Sequence, residues 1–149
     1  MMRPAITRGR ELVILTGGCL CGAVRYRITA APLITRLCWC RVCQYIAAGS
    51  ATVNSLFPAA AFTVEGLLGD YPCIADSGSH MHRRFCAQCG THVYAHAEER
   101  SQVVVVRVGT LDSPNAVQPA MNIWINSAPS WACIDSQLPA TPGQPPPLA

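Results

Sequence analysis

Nine cysteines stand in a chain of 149 residues, and seven of them fall into three tight clusters. These are Cys19-Leu-Cys21, inside Gly17-Gly-Cys-Leu-Cys-Gly22, then Cys38-Trp-Cys40-Arg-Val-Cys43, and Cys86-Ala-Gln-Cys89-Gly90. Thiols at such spacing crosslink the chain, cycle between redox states or ligate a metal. An odd count in a chain of this length without a secretion-signal pattern argues against a disulfide framework. In a reducing compartment the same richness points to metal or to redox chemistry.

A tetrahedral zinc needs thiolates about 2.3 Å away that converge from separate pieces of chain. A Cys-x-x-Cys-Gly turn supplies two, with glycine taking a positive φ where the chain leaves. A Cys-x-Cys on extended chain puts both sulfurs on one face. The first and third clusters together therefore make a closed site of Cys19, Cys21, Cys86 and Cys89, which four thiolates render structural. A redox dithiol at Cys86 and Cys89 is the competing reading, but that motif expects a helix to follow rather than Gly90-Thr91.

Cys38, Cys40 and Cys43 offer three thiolates within six residues and no obvious fourth. Three ligands and an open corner are the arrangement of a catalytic zinc, and a thiol substrate suits it because zinc deprotonates a coordinated thiol. A second structural site, closed by a distant residue, is the alternative. Cys73 and Cys133 read as small apolar core residues. His80 and His82 alternate on an expected strand and share a face, where a solvated strand edge is the simpler reading than a metal. Trp124 and Trp131 read as core or rim packing.

The elements that must position these groups read as strands broken by Gly and Pro. Ala23–Thr29 alternates apolar and polar residues, and Leu33–Leu37, Ala51–Phe57, Phe62–Glu65, Val93–Ala97 and Gln102–Val108 are further strands. Ile123–Ile125 is a late one, Pro58–Ala61 is a single helical turn, and Glu98–Ser101 is the polar tip of a hairpin. No segment sustains a 3.6-residue period over three turns, so the expected fold is mainly β. The expected organisation is an N-terminal arm over 1–10, one zinc-binding domain over 11–138 and a proline-rich tail over 139–149 lying outside the core.

Composition narrows the function. All 11 basic residues are arginine, which excludes a lysine nucleophile, Schiff base or phosphate-loop lysine. A formal charge of +3 with no basic run argues against nucleic acid. The apolar runs Leu12–Leu15 and Val103–Val106 are far short of a membrane span or a signal core, so a cytoplasmic protein is expected. Only 13% of residues are charged and the mean hydropathy is +0.25, from which a covered homodimer face is expected.

Several segments are similar to the glutathione-dependent formaldehyde-activating enzyme family, which includes centromere protein V. They are Gly17–Tyr26, the Cys38/Cys40/Cys43 motif, Gly49-Ser50, Phe62–Gly66, Arg84–Thr91, Gly109–Asp112, Asn122-Ile-Trp124 and Trp131. The resemblance implies twisted antiparallel sheets in a β-tent. It also implies two zinc ions, one structural on Cys19, Cys21, Cys86 and Cys89, and a second, catalytic one on Cys38, Cys40 and Cys43. The implied activity is carbon–sulfur lyase chemistry on a small thiol and an aldehyde, forming S-hydroxymethylglutathione from glutathione and formaldehyde. A non-catalytic zinc-binding interaction module with the same fold is the alternative. Two positions depart from the family pattern: Trp39 and Asn122 stand where histidine is usual, and neither side chain titrates.

Overall fold

The computed structural model describes residues 12–148. The expected arm over 1–10 lies outside the described residues. β-Branched and aromatic residues in short alternating runs give ten strands: β1 Leu15–Gly18, β2 Arg25–Ile28, β3 Ile34–Cys38, β4 Thr52–Pro58, β5 Phe62–Glu65, β6 Leu68–Ile74, β7 His80–Cys86, β8 His92–Ala97, β9 Val103–Arg107 and β10 Met121–Ile123. One helix, α1, spans Arg41–Ile46. No helix among the described residues is long and apolar enough to cross a membrane.

The strands form two sheets. The smaller has the order β1-β2-β5, and the larger β10-β3-β4-β9-β8-β7-β6. All pairings are antiparallel except β10 with β3, which run parallel, so the large sheet is mixed rather than wholly antiparallel. The mainly β expectation holds with that correction.

Alternation decides which face each side chain serves. Tyr26 and Ile28 of the small sheet bury against Phe57, Val104 and Val106 of the large one, with the Phe62 ring tilted between those of Tyr26 and Tyr94 at 5.4 and 4.8 Å. The four consecutive valines divide accordingly. Val104 and Val106 enter this core, while Val103 and Val105 face a cleft on the other side. The register of β7 on β8 slips between Arg84 and Phe85, leaving Val93 as the extra residue of a bulge, which lets it join the core as well.

The proline-rich tail does not hang free. Ala140 bridges Asn122, and the Asn122 amide donates to the Pro139 carbonyl at 2.8 Å. Thr141 donates back to Asn122 at 3.0 Å, and the Trp124 indole donates to Gln144 Oε1 at 3.0 Å. Proline lacks a donor, but its carbonyl still accepts, so an extended proline segment can dock along one strand edge.

Candidate metal centres

The two chain ends of the first thiol set come from different sheets. Cys19 and Cys21 lie in the loop between β1 and β2. Cys86 ends β7, and Cys89 follows in the turn to β8. Gly22 and Gly90 hold φ of 81° and 74°, conformations that let each loop turn back beneath its sulfurs. The four Sγ atoms all lie within 4.8 Å of one another, with Cys19–Cys21 at 3.5 Å and Cys21–Cys86 at 3.8 Å. A tetrahedron with zinc–sulfur bonds of 2.3 Å has an edge of about 3.8 Å, so this donor set fits a dication.

Amide donors complete the cradle. Val24 N–H points to Cys19 Sγ at 3.2 Å, and the amides of Gln88 and Cys89 point to Cys86 Sγ at 3.4 and 3.5 Å. Such bonds favour the ionised sulfur. The Thr91 hydroxyl, 3.1 Å from Cys89 Sγ, is the foremost of the contacts that hold this thiol down to about 5. At Cys21 a backbone hydrogen bond from Ala23 is outweighed by burial and the neighbouring thiols, which push it up to about 12. Four thiolates cannot share so small a volume without a cation between them.

The second set is built on a strand–helix corner. Cys38 ends β3, Cys40 caps α1 by accepting the Cys43 amide at 3.4 Å, and Cys43 lies in the first turn of that helix. Helix α1 lacked a sequence signal because its six residues make fewer than two turns. The Trp39 amide is tied to the Ile123 carbonyl of β10 at 3.0 Å, and Gln44 Nε2 donates to the carbonyls of Trp39 at 2.7 Å and Ser127 at 2.8 Å. These bonds fix the corner, and the three sulfurs converge within 4.8 Å, all buried.

Without a cation this set holds its charge unevenly. The Cys40 and Cys43 sulfurs, then burial, push the Cys38 thiol up. The Cys38 and Cys40 thiols, then the charge of Arg107, hold Cys43 down. Three buried thiolates need a compensating cation, and three sulfurs without a fourth leave one tetrahedral position for another ligand.

These sulfurs line a cleft of about 800 Å³, including its open mouth, on the outer face of the large sheet. Its floor is read from strand register. Arg36, Asn54 and Arg107 stand side by side on β3, β4 and β9, and Leu56, Val105, Ala95 and Arg83 form the next row. Arg100 and Asp76 stand at the wall. Sequence reasoning missed the arginines. Their signal was phase: Arg36 is two positions before Cys38, and Arg107 is in step with Val103 and Val105.

A profile of the glutathione-dependent formaldehyde-activating enzymes matches residues 14–127. The chain belongs to that family. Within the family it is 26% identical over 131 residues to a Halomonas elongata protein provisionally named a glutathione-dependent formaldehyde-activating enzyme, covering 84% of this chain and 83% of the relative. A crystal structure of a Rhodobacter sphaeroides protein shares the fold at a TM-score of 0.54 and 17% identity, covering 85% of this chain and 99% of that one.

The remaining sequence candidates fall elsewhere in this family member. Trp39 is 4% exposed with its indole N–H unpartnered, and Asn122 is 1% exposed with its side-chain amide directed to the Asp135 carbonyl. Cys133 is exposed and Cys73 half-buried, so neither is the core residue expected. Cys73 Sγ instead accepts from Arg83. His80 and His82 lie on β7, which is paired on both sides by β6 and β8 and is therefore no edge. Their rings are held by carboxylates, Glu99 for His80 and both Asp70 and Glu98 for His82. Trp131 is 69% exposed, while Trp124 lines the cleft.

Proposed function

We propose that the chain is a zinc-dependent carbon–sulfur lyase that joins a small thiol to an aldehyde, with glutathione and formaldehyde as the pair that the family's name indicates. The convergence of Cys38, Cys40 and Cys43 at the wall of an arginine-lined cleft carries this reading. The other four thiols form a separate set between the two sheets. Two zinc ions per chain follow, one holding the fold and one serving the cleft. A zinc ion held by Cys38, Cys40 and Cys43 supplies positive charge that favours a deprotonated substrate thiol and a developing alkoxide.

The chain's own residues position the reactants. Cys38, Cys40 and Cys43 hold the ion at the cleft wall, and Arg107 offsets excess thiolate charge there. In the reaction the substrate loses its S–H proton and a carbon–sulfur bond forms. The carbonyl electron pair moves to oxygen, which takes up a proton, so no external acid or oxidant is consumed. No histidine lines the cleft among the described residues, and neither Trp39 nor Asn122 titrates. Proton exchange therefore runs through water at the open mouth. A reducing, cytoplasmic location agrees with free thiols at all nine cysteines.

The non-catalytic module is the second reading, favoured by a hollow between α1 and β6 that is rimmed by exposed Tyr45, Tyr71 and Ile74. The deciding experiment measures exchange between ¹³C-formaldehyde and glutathione by NMR, with zinc counted by mass spectrometry. Accelerated exchange with two zinc ions bound, abolished in Cys40→Ser, supports the lyase. Unchanged exchange with both ions bound leaves the module.

A further inference from the structure

The hollow between α1 and β6, of about 910 Å³ including its open mouth, is separate from the thiol cleft. Val42, Tyr45 and Ile46 recur at helical spacing, so one side of α1 makes its first wall. Tyr71 and Ile74 of β6 make the second. Tyr45 and Tyr71 are exposed, and the Arg41 guanidinium lies 5.2 Å from the centre of the Tyr45 ring. Two apolar walls, each with an aromatic rim, suit a flat hydrocarbon body.

The floor is polar. Arg83 is 5% exposed, and its Nε–H has no partner among the described residues. It lines both the hollow and the cleft, but it gives Nη1 to Cys73 Sγ, and Cys73 lines the hollow alone. That bond turns the guanidinium toward β6, where Tyr71 is the cross-strand partner of Arg83. His92 Nδ1 is also buried without a partner and belongs to the same floor. Burial first, then the charges of Arg107 and Arg83, hold this imidazole below its ordinary 6.5, so at neutral pH it has one N–H to give. Among the described residues no carboxylate lines the hollow and no ion pair reaches Arg83. A guanidinium keeps its proton, so an uncompensated charge and two orphaned nitrogens share the base of an apolar slot. A carboxylate answers all three, because one planar group accepts from the guanidinium and from a further N–H.

We propose that this hollow is a binding site for a small arene carboxylate, with its carboxylate on Arg83 and His92 and its ring between the walls of α1 and β6. No thiol or aldehyde enters the site, so it is independent of the lyase reading. Its occupant lies against the helix that carries Cys43, which gives it a contact with the second thiol set without entering the cleft.

The test is calorimetric titration of the zinc-loaded full chain with 2-naphthoate and with 2-naphthamide, its neutral isostere. The acid is expected to bind at least tenfold more tightly than the amide, and less tightly as salt rises. Arg83→Gln should cost at least tenfold and Arg83→Lys less, with circular dichroism unchanged. Tyr71→Ser, on the exposed rim, should cost severalfold, while Arg36→Gln, which alters the cleft alone, should leave the affinity unchanged. If Arg83→Gln fails to fold, the amide and Tyr71→Ser still decide. Absence of saturable binding, or equal binding of acid and amide, overturns the site. Binding that is lost in Arg36→Gln and kept in Tyr71→Ser places the acid in the cleft and overturns it equally.

Discussion

Cys21 and Cys86 bring their Sγ atoms to 3.8 Å although 65 positions separate them in the chain. One stands in the loop of the small sheet and the other at the end of a long-sheet strand, so their site ties the two layers at one end. Cys86 is 1% exposed and packs within the shared core. Replacing it by serine removes one of the four converging thiols and buries a hydroxyl among apolar neighbours. Cys86→Ser is expected to lower Tm by about 10 °C, the equivalent of roughly 3 kcal/mol or more in a domain this size. Thermal melting by circular dichroism checks this, and an unchanged Tm would show that the site holds nothing together.

The Cys38 set should behave differently. Cys40 caps a short helix by accepting the Cys43 amide, and serine is a better cap than cysteine. A serine hydroxyl does not ionise at neutral pH, so it makes a poor third ligand. Cys40→Ser is expected to keep Tm within about 3 °C while metal content falls from two ions to one. Loss of both ions would merge the two sites into one cooperative unit and remove the division between fold and cleft.

His82 carries a pH dependence with a definite sign. Its Nδ1 lies 2.7 Å from Asp70 and its Nε2 2.8 Å from Glu98, while His96 stacks on the ring at 5.0 Å. A neutral imidazole donates to one carboxylate and turns a lone pair to the other, whereas the imidazolium donates to both. Asp70 first and Glu98 second therefore raise its pKa above the usual 6.5. The stabilisation is full below pH 6.5 and fades as pH rises through the raised value. Wild-type Tm should accordingly fall between pH 6 and pH 9 by more than that of His82→Gln. His80 beside Glu99 is raised in the same direction, so His80→Gln is the needed companion. Equal slopes in wild type and both variants would assign the pH dependence elsewhere.

The parts legible in the sequence were those with strong local chemistry. Clustered thiols marked both metal-fitting sets, alternation in Ala23–Thr29 marked β2, and the β-branched run Val103–Val106 marked β9. Strand β6 was hidden because Gly69, Asp70 and Pro72 are poor strand formers, and its pairing with β7 is what makes it a strand. The arginines of the cleft were hidden for another reason. Arg36, Arg83 and Arg107 are far apart in sequence, and register across the large sheet alone brings them to one face. The tail's docking was likewise invisible, because proline composition reports the absence of donors and says nothing of what the carbonyls meet.

That docking has a measurable consequence for the cleft. β10 has three residues and is paired on one side by β3 and on the other by the tail. Ile123 of this strand accepts the Trp39 amide and packs against Cys38, Cys40 and Cys43, and Gln144 of the tail reaches the cleft itself. Deleting residues 139–149 strips the Asn122 amide and carbonyl of their tail partners and leaves the Trp124 indole without Gln144. Each lost backbone pairing costs about 1 kcal/mol once water replaces the partner. The truncated chain is expected to melt roughly 5–10 °C lower. It should also release the ion of the Cys38 set at lower chelator concentration, while the Cys19 set, to which the tail makes no hydrogen bond among the described residues, keeps its own. Chelator titration with a colorimetric zinc indicator resolves the two releases. A truncation that leaves the first release unmoved would detach the tail from the cleft and leave it as a surface strap on β10.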